Sequence, residues 1–363
     1  MSHSKLTNIH SLASLGWNNF FQQQLTLDEL ALYQPARVIQ QHKSELLVLT
    51  EEAEFCIRPP IQVPDNPTLI TVGDWLLLDS QQSVHRVLER SSVFSRKAAG
   101  SKVREQLIAA NVDTLFIVSS MNNDFNLSRI ERYLVLAHDA HVEPVVVLTK
   151  ADLCDAQDQR DELILQVQNL DRLMSIVALN ALDTNQINQL APWCLPGKTL
   201  ALLGSSGVGK STLVNTLLNK SAQATGGIRE NDSKGHHTTT SRSLHVIPIT
   251  SSIAGGMVLD TPGMREFQLA NSEEGIEETF SDIMALAQEC KFGDCSHDSE
   301  PGCAVQAAIH SNLLPARRLL SFQKLQREDA LNTSTLAERR EREKKRDKYH
   351  HSVQKQSRRL KKR

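Results

Sequence analysis

The chain has 363 residues, of which 40% are hydrophobic and 23% charged, enough for two or three domains with a real buried core. It contains no run of eighteen apolar residues, and no apolar stretch follows Met1-Ser2-His3-Ser4-Lys5, so neither a membrane span nor a secretory signal is expected. The formal net charge of −2 conceals a segregation: Glu338 to Arg363 hold thirteen Lys/Arg against four Asp/Glu, a net of +9, which leaves −11 on the rest. A basic tail on an acidic body suggests a polyanionic partner.

Residues 1–34 are polar, Gln-rich and weakly patterned, and read as an extension. Residues 35–98 hold five short β-rich runs, 36–41, 45–50, 54–57, 75–78 and 83–89, separated by Pro59-Pro60 and Pro64-Asp65-Asn66-Pro67. Five strands in so short a span predict a small barrel such as an OB-fold, a frequent nucleic-acid module. Ser91 to Gly100 reads as a polar, basic connector. Over residues 101–270 apolar strands (114–119, 145–148, 175–179, 199–203, 244–249, 257–259) alternate with helices at 128–140, around 158–173 and from Lys210, which predicts a mostly parallel α/β sheet. Residues 271–335 are helical and cysteine-bearing. Thr335-x-x-Glu338 resembles a capping box that opens a final charged helix in the tail, 336–363. Aromatics make up only 4%, so aliphatic side chains must dominate the core.

Three motifs in the central segment carry its chemistry. Gly204-Ser205-Ser206-Gly207-Val208-Gly209-Lys210-Ser211 is a complete G-x-x-x-x-G-K-S phosphate loop between an apolar strand and a helix that continues through Thr212. Glycines there let the backbone turn its N–H groups onto phosphates. Lys210 is expected at the β- and γ-phosphates and the Ser211 hydroxyl on Mg²⁺. Asp260-Thr261-Pro262-Gly263 closes the strand 257–259: Asp260 fits a water-mediated Mg²⁺ ligand, and Gly263 a backbone donor to the γ-phosphate. Between them, Gly235-His236-His237-Thr238-Thr239-Thr240 reads as a switch, with Thr239 as the Mg²⁺-ligating threonine. The residue after Gly263 is Met264, which cannot orient water, so intrinsic hydrolysis is expected to be slow and His237 is the candidate to position the water.

The third motif lies upstream of the other two. Thr149-Lys150-Ala151-Asp152 has the T/N-K-x-D form in which a carboxylate accepts two hydrogen bonds from the guanine edge, a pairing that adenine cannot offer. The Lys150 stem would lie along the base. Asn180 and Ala181 stand where a backbone contact to the guanine oxygen is expected. A base reader that precedes the phosphate loop points to a circularly permuted GTPase.

Cys290-x₄-Cys295-x-His297-x₅-Cys303 offers three thiolates and one imidazole within fourteen residues, a set suited to one tetrahedral structural Zn²⁺. Six cysteines without a secretory signal imply a reducing compartment, the cytosol; Cys56, Cys154 and Cys194 read as ordinary core thiols.

Together these features resemble the ribosome small subunit-dependent GTPase A family of bacteria, over roughly residues 36–330. The resemblance rests on Thr149–Asp152, Gly204–Ser211, Gly235–Thr240, Asp260–Gly263 and the cysteine–histidine spacing. It implies a multidomain architecture: an N-terminal β-barrel (OB-fold), a central circularly permuted α/β P-loop GTPase domain and a mainly α zinc-binding domain. It also implies a cytoplasmic enzyme, expected as a monomer, that binds the small ribosomal subunit and its rRNA late in maturation. The subunit would stimulate its GTP hydrolysis, and release would follow. The alternatives are a permuted GTPase of large-subunit assembly and an rRNA-binding scaffold with a weak nucleotide site. Intact Lys210, Ser211 and Asp260 argue against the scaffold, and the barrel and cysteine cluster against the large-subunit reading.

Overall fold

A computed structural model of the chain describes residues 10–42, 44–60, 69–97, 105–122, 124–154, 157–219, 242–260, 269 and 272–333. The chain divides into two compact units, residues 1–267 and 268–363.

The first unit begins with two short helices, α1 (Asn19–Gln22) and α2 (Leu27–Leu32), then strands β1 (Gln34–Gln41), β2 (Leu46–Leu49), β3 (Glu54–Ile57), β4 (Trp75–Leu78) and β5 (Val84–Val87). β1 is the hub, antiparallel to β2 along Arg37–Gln41 and to β4 along Gln34–Arg37. β3 extends β2 and β5 extends β4. The inward positions of this curled five-stranded sheet, among them Ala36, Val38, Leu46, Val48, Leu76 and Leu78, form one apolar cluster, as a period of two requires.

Two expectations are corrected in this region. From residue 10 onward the Gln-rich start is not a loose extension. Leu15 and Phe21 are buried, and the Trp17 ring meets Trp75 edge-on at 4.9 Å. Thr26 and Glu29 close a capping box on α2, and Glu29 also receives Arg86 of β5 at 2.6 Å. A few large apolar anchors order a segment whose average composition is polar. The connector, likewise, contains β6 (Val93–Lys97), paired antiparallel with β7 (Glu105–Ala110). The Val-Phe-Ser-Arg-Lys run buries Phe94 and leaves Val93 exposed, so it alternates as a strand despite its charge.

Strands β8 (Thr114–Ser120), β9 (Glu143–Thr149), β10 (Ser175–Ala178), β11 (Thr199–Leu203), β12 (Ser243–Val246) and β13 (Met257–Asp260) follow, with helices α3 (Leu127–Asp139), α4 (Gln157–Gln168), α5 (Thr184–Ile187) and α6 (Lys210–Leu217) between them. α4 ends short of the expected Leu173 because a turn begins at Asp171, whose carboxylate accepts the Leu173 N–H at 2.8 Å. The sheet order is β10-β9-β8-β11-β13-β12, parallel as far as β13, with β12 antiparallel at the end. β8 and β11 are buried along their whole length, as expected of strands covered by helices on both faces.

The chain winds outward from β8 to β10, then returns to lay β11 beside β8 and continues to the other edge. That reversal opens a crevice beyond the carboxyl ends of β8 and β11, the place where doubly wound sheets bind ligands. β12 also pairs with β1, Ser243 opposite Gln40, so the sheet runs on into the N-terminal strands. Arg37 of β1 is 1% exposed and donates to Leu15 O, to Asn111 O at 3.0 Å and to Thr199 Oγ1 at 2.8 Å, at the start of β11. Burial pulls its pKa down to about 10, against the opposing pull of Asp113 and Asp74.

Among its described residues the second unit has four helices, α7 (Glu273–Thr279), α8 (Ser281–Gln288), α9 (Ala304–His310) and α10 (Ala316–Thr333). Phe280, Ile283, Val305, Leu319, Phe322 and Leu325 are among its buried apolar residues. Arg318, 3% exposed, grips Asp282 at 2.6 and 2.9 Å and lies over the Phe280 ring at 4.9 Å. Among the described residues no helix is long and apolar enough to cross a membrane.

Candidate nucleotide site and metal centre

The three central motifs are far apart in sequence, but the topology gathers them at the carboxyl ends of parallel strands. Gly204–Ser211 leaves β11, Thr149–Asp152 leaves β9, and Asp260 ends β13, exposed. At Gly204 a side chain is impossible: a Cβ there would lie 2.3 Å from the Val118 carbonyl oxygen of the neighbouring strand. Gly209, at φ 98°, takes the left-handed turn that starts α6. The Lys210 ammonium donates to the Gly204 carbonyl at 2.7 Å and to that of Ser205, so it spans the mouth of the loop. Ser211 is exposed in the first turn of α6, and Thr212 is half-buried behind it.

Thr149 joins the base reader to the phosphate loop. It is fully buried, and its hydroxyl bonds the carbonyls of Ser119 (3.3 Å) and Val208. Lys150 sits at φ 57°, a left-handed turn that sends the chain back over the strand ends and leaves Asp152 exposed. The Ala151 N–H donates to Leu179 O at 3.3 Å, which brings the Asn180-Ala181 pair alongside. Asn180 uses its side chain within its own turn, accepting the Leu182 N–H at 2.9 Å, and donates its N–H to Gln186 at 2.8 Å. The Ala181 carbonyl accepts the Thr216 hydroxyl of α6 at 2.8 Å, tying this box to the phosphate-loop helix. His237, Thr239 and the rest of the switch lie outside the described residues, as do Gly263, Met264 and the basic tail.

In the second unit Cys290, Cys295, His297 and Cys303 turn their ligand atoms within 4.8 Å of one another. Cys290 Sγ lies 3.8 Å from Cys303 Sγ and 3.6 Å from His297 Nδ1, which is 3.5 Å from Cys303 Sγ. A tetrahedral ion with ordinary zinc–ligand bonds needs edges of about 3.8 Å between sulfurs and about 3.6 Å from sulfur to nitrogen. The four groups are therefore spaced to hold a metal ion. His297 reaches this position through a left-handed φ of 59°, and its carbonyl is held by the Gln306 amide at 2.7 Å.

A family model described as RsgA GTPase matches residues 87–270. A protein of Vibrio parahaemolyticus named Small ribosomal subunit biogenesis GTPase RsgA 2 is 56% identical over 335 residues, covering 92% of this chain and 90% of its own. The chain belongs to the RsgA GTPase family. It is accordingly a GTP-hydrolysing enzyme. The RsgA of Mesorhizobium japonicum is 46% identical and covers 89% of this chain and 91% of its own. Among solved structures, YjeQ from Thermotoga maritima matches with a TM-score of 0.58 at 25% identity, over 81% of this chain and 97% of its own. YloQ, titled a circularly permuted GTPase, matches with a TM-score of 0.56 at 24% identity, over 84% and 97%. The permuted order of base reader and phosphate loop is thus a property of the fold this RsgA-family member shares.

One part of the crevice was not found by reading motifs. The loop after β8 and the first turn of α3 bring Asp124 and Arg129 to the phosphate loop, where Arg129 donates to Asp124 Oδ2 at 2.9 Å and to the Ser205 hydroxyl. Neither residue belongs to a recognisable local pattern; the available signal was that a parallel strand's carboxyl end precedes them.

Proposed function

We propose that this GTPase of small ribosomal subunit biogenesis binds GTP–Mg²⁺ at the β8–β11 crevice and uses the subunit to complete its catalytic site. The carrying observation is the Thr149 hydroxyl on the Val208 carbonyl, which locks base reader and phosphate loop into one pocket. In this reading Asp152 accepts the guanine N1–H and N2–H₂, Lys150 lies along the base, and Ala181 supplies a backbone N–H to the guanine oxygen beside Asn180. The N–H groups of Gly204–Gly209 cradle the phosphates at the amino end of α6. Lys210 neutralises the β- and γ-phosphates; Ser211 and Thr239 ligate Mg²⁺, and Asp260 holds it through water. Gly263 senses the γ-phosphate, and His237 orients the attacking water in place of the glutamine that Met264 replaces.

The cysteine–histidine cluster would hold one Zn²⁺ that stands in for a larger core in the second unit. We read the five N-terminal strands as an OB-fold that contacts rRNA with the basic tail, and the chain as a cytoplasmic monomer that leaves the particle after hydrolysis. The spacing of the four ligand atoms and the small-subunit names of its relatives support this reading. The test is GTP turnover with and without purified small subunits. Stimulation by small but not large subunits is expected; equal rates in all three conditions would sink the proposal.

A further inference from the structure

A groove of about 1180 Å³ opens at the end of β13 opposite Asp260. It is lined by Val246, Pro248 and Ile249 of the β12–β13 hairpin, by Ser14 of the N-terminal segment, and by Glu51 and Glu52 of the turn between β2 and β3. Ile249 is 78% exposed, unusual for a large apolar side chain beside other apolar walls. No lysine or arginine lines the groove among the described residues. Glu51 is partly engaged, accepting the Leu12 N–H at 2.9 Å and so fixing the N-terminal segment; Glu52 is exposed.

The groove also borders an open sheet edge. β12 pairs with β13 from Ser243 to Val246, but with β1 at Ser243 alone among the described residues. The Ile247 N–H donates to Gly256 O at 2.8 Å. The alternation of an antiparallel ladder then turns the N–H and C=O of Val246 away from β13. Val246 therefore offers a donor and an acceptor where its side chain helps to line the groove.

We propose that this groove binds an extended protein segment, apolar on one face and basic on the other, which adds as a strand to the β12 edge. The edge requires an extended backbone, Val246 and Ile249 require apolar partners, and the glutamates require Lys or Arg. The same glutamates repel a phosphate backbone, so RNA is the wrong occupant. Resting on the small-subunit reading above, the segment belongs to a protein of that particle.

The test places a photoreactive benzoylphenylalanine at Ile249 of the full chain and irradiates it with purified small subunits and a non-hydrolysable GTP analogue. Mass spectrometry should find a crosslink to a Lys/Arg-rich segment of one subunit protein, absent when the probe stands instead at exposed Leu173. Glu52→Lys should cut its yield roughly fivefold, as the loss of a rim charge pair would, with GTP turnover in the absence of subunits unchanged. A crosslink to rRNA, or none although the chain co-sediments with subunits, overturns the proposal. Loss of co-sedimentation itself would sink the small-subunit reading and this occupant with it.

Discussion

Asp152 and Lys210 divide recognition from chemistry, and each can be changed without disturbing the core. Asp152 is exposed past the left-handed Lys150, so Asp152→Asn should leave the fold intact while replacing an acceptor by a donor at the guanine edge. GTP affinity should fall about 10- to 100-fold, the cost of leaving buried donors unpaired. Xanthosine triphosphate, with a carbonyl where guanine has its amino group, should bind the variant better than GTP. Competition binding with the two nucleotides checks this, and unchanged preference would remove Asp152 from the pocket. Lys210→Ala should lower kcat/KM for GTP on the order of 100-fold or more, because preorganised charge at the transferring phosphoryl is lost. Both residues were legible because their chemistry is encoded in contiguous tetra- and octapeptides. Arg129 and Arg37 were not: their partners lie 76 and 162 positions away, at Ser205 and Thr199, and only the folded sheet brings them within reach.

At the scale of elements, strands with strong alternation or uniform burial were readable to within a residue or two, such as β3, β4 and β11. Elements held by a few anchors were not. α1 and α2 depend on Leu15, Trp17, Phe21 and one ion pair, which a Gln-rich average conceals; β6 depends on Phe94 within a basic run. The ion pair makes α2 sensitive to acid. The Arg86 guanidinium and the Thr26 N–H hold the Glu29 pKa at about 2, against an ordinary 4.5. A carboxyl with a depressed folded pKa contributes stability that is complete above the unfolded value and lost as pH falls through the folded one. The stability difference between the native chain and Glu29→Gln should therefore be nearly constant above pH 4.5, shrink steadily between pH 4.5 and 2, and vanish only below 2. Denaturant titrations of both proteins across that window, followed by tryptophan fluorescence, measure it. A difference that did not shrink between pH 4.5 and 2 would mean the contact acts by packing rather than charge.

For the whole molecule, the N-terminal strands and the nucleotide-binding sheet belong to one compact unit, residues 1–267. Sheet pairing continues from β1 into β12, and the buried Arg37 ties β1 to Thr199, Asn111 and Leu15. Detaching the N-terminal strands would strip the Arg37 guanidinium from the Asn111 carbonyl and the Thr199 hydroxyl and leave those buried groups unpaired, so the two should unfold together rather than in turn. The second unit differs in kind. Its described residues form four helices around a modest apolar core, with four clustered ligand atoms, and metal affinity there would act directly as folding free energy, on the order of 10 kcal/mol for structural zinc. Calorimetry of the full chain should accordingly show two transitions, one for residues 1–267 and one for the remainder. A zinc chelator, or Cys295→Ser, should move only the second to lower temperature, and metal analysis should give one zinc per chain before chelation and none after. A separate transition for the N-terminal strands would break the argument from Arg37, and a chelator shift shared by both transitions would show that the metal also stabilises the nucleotide-binding body.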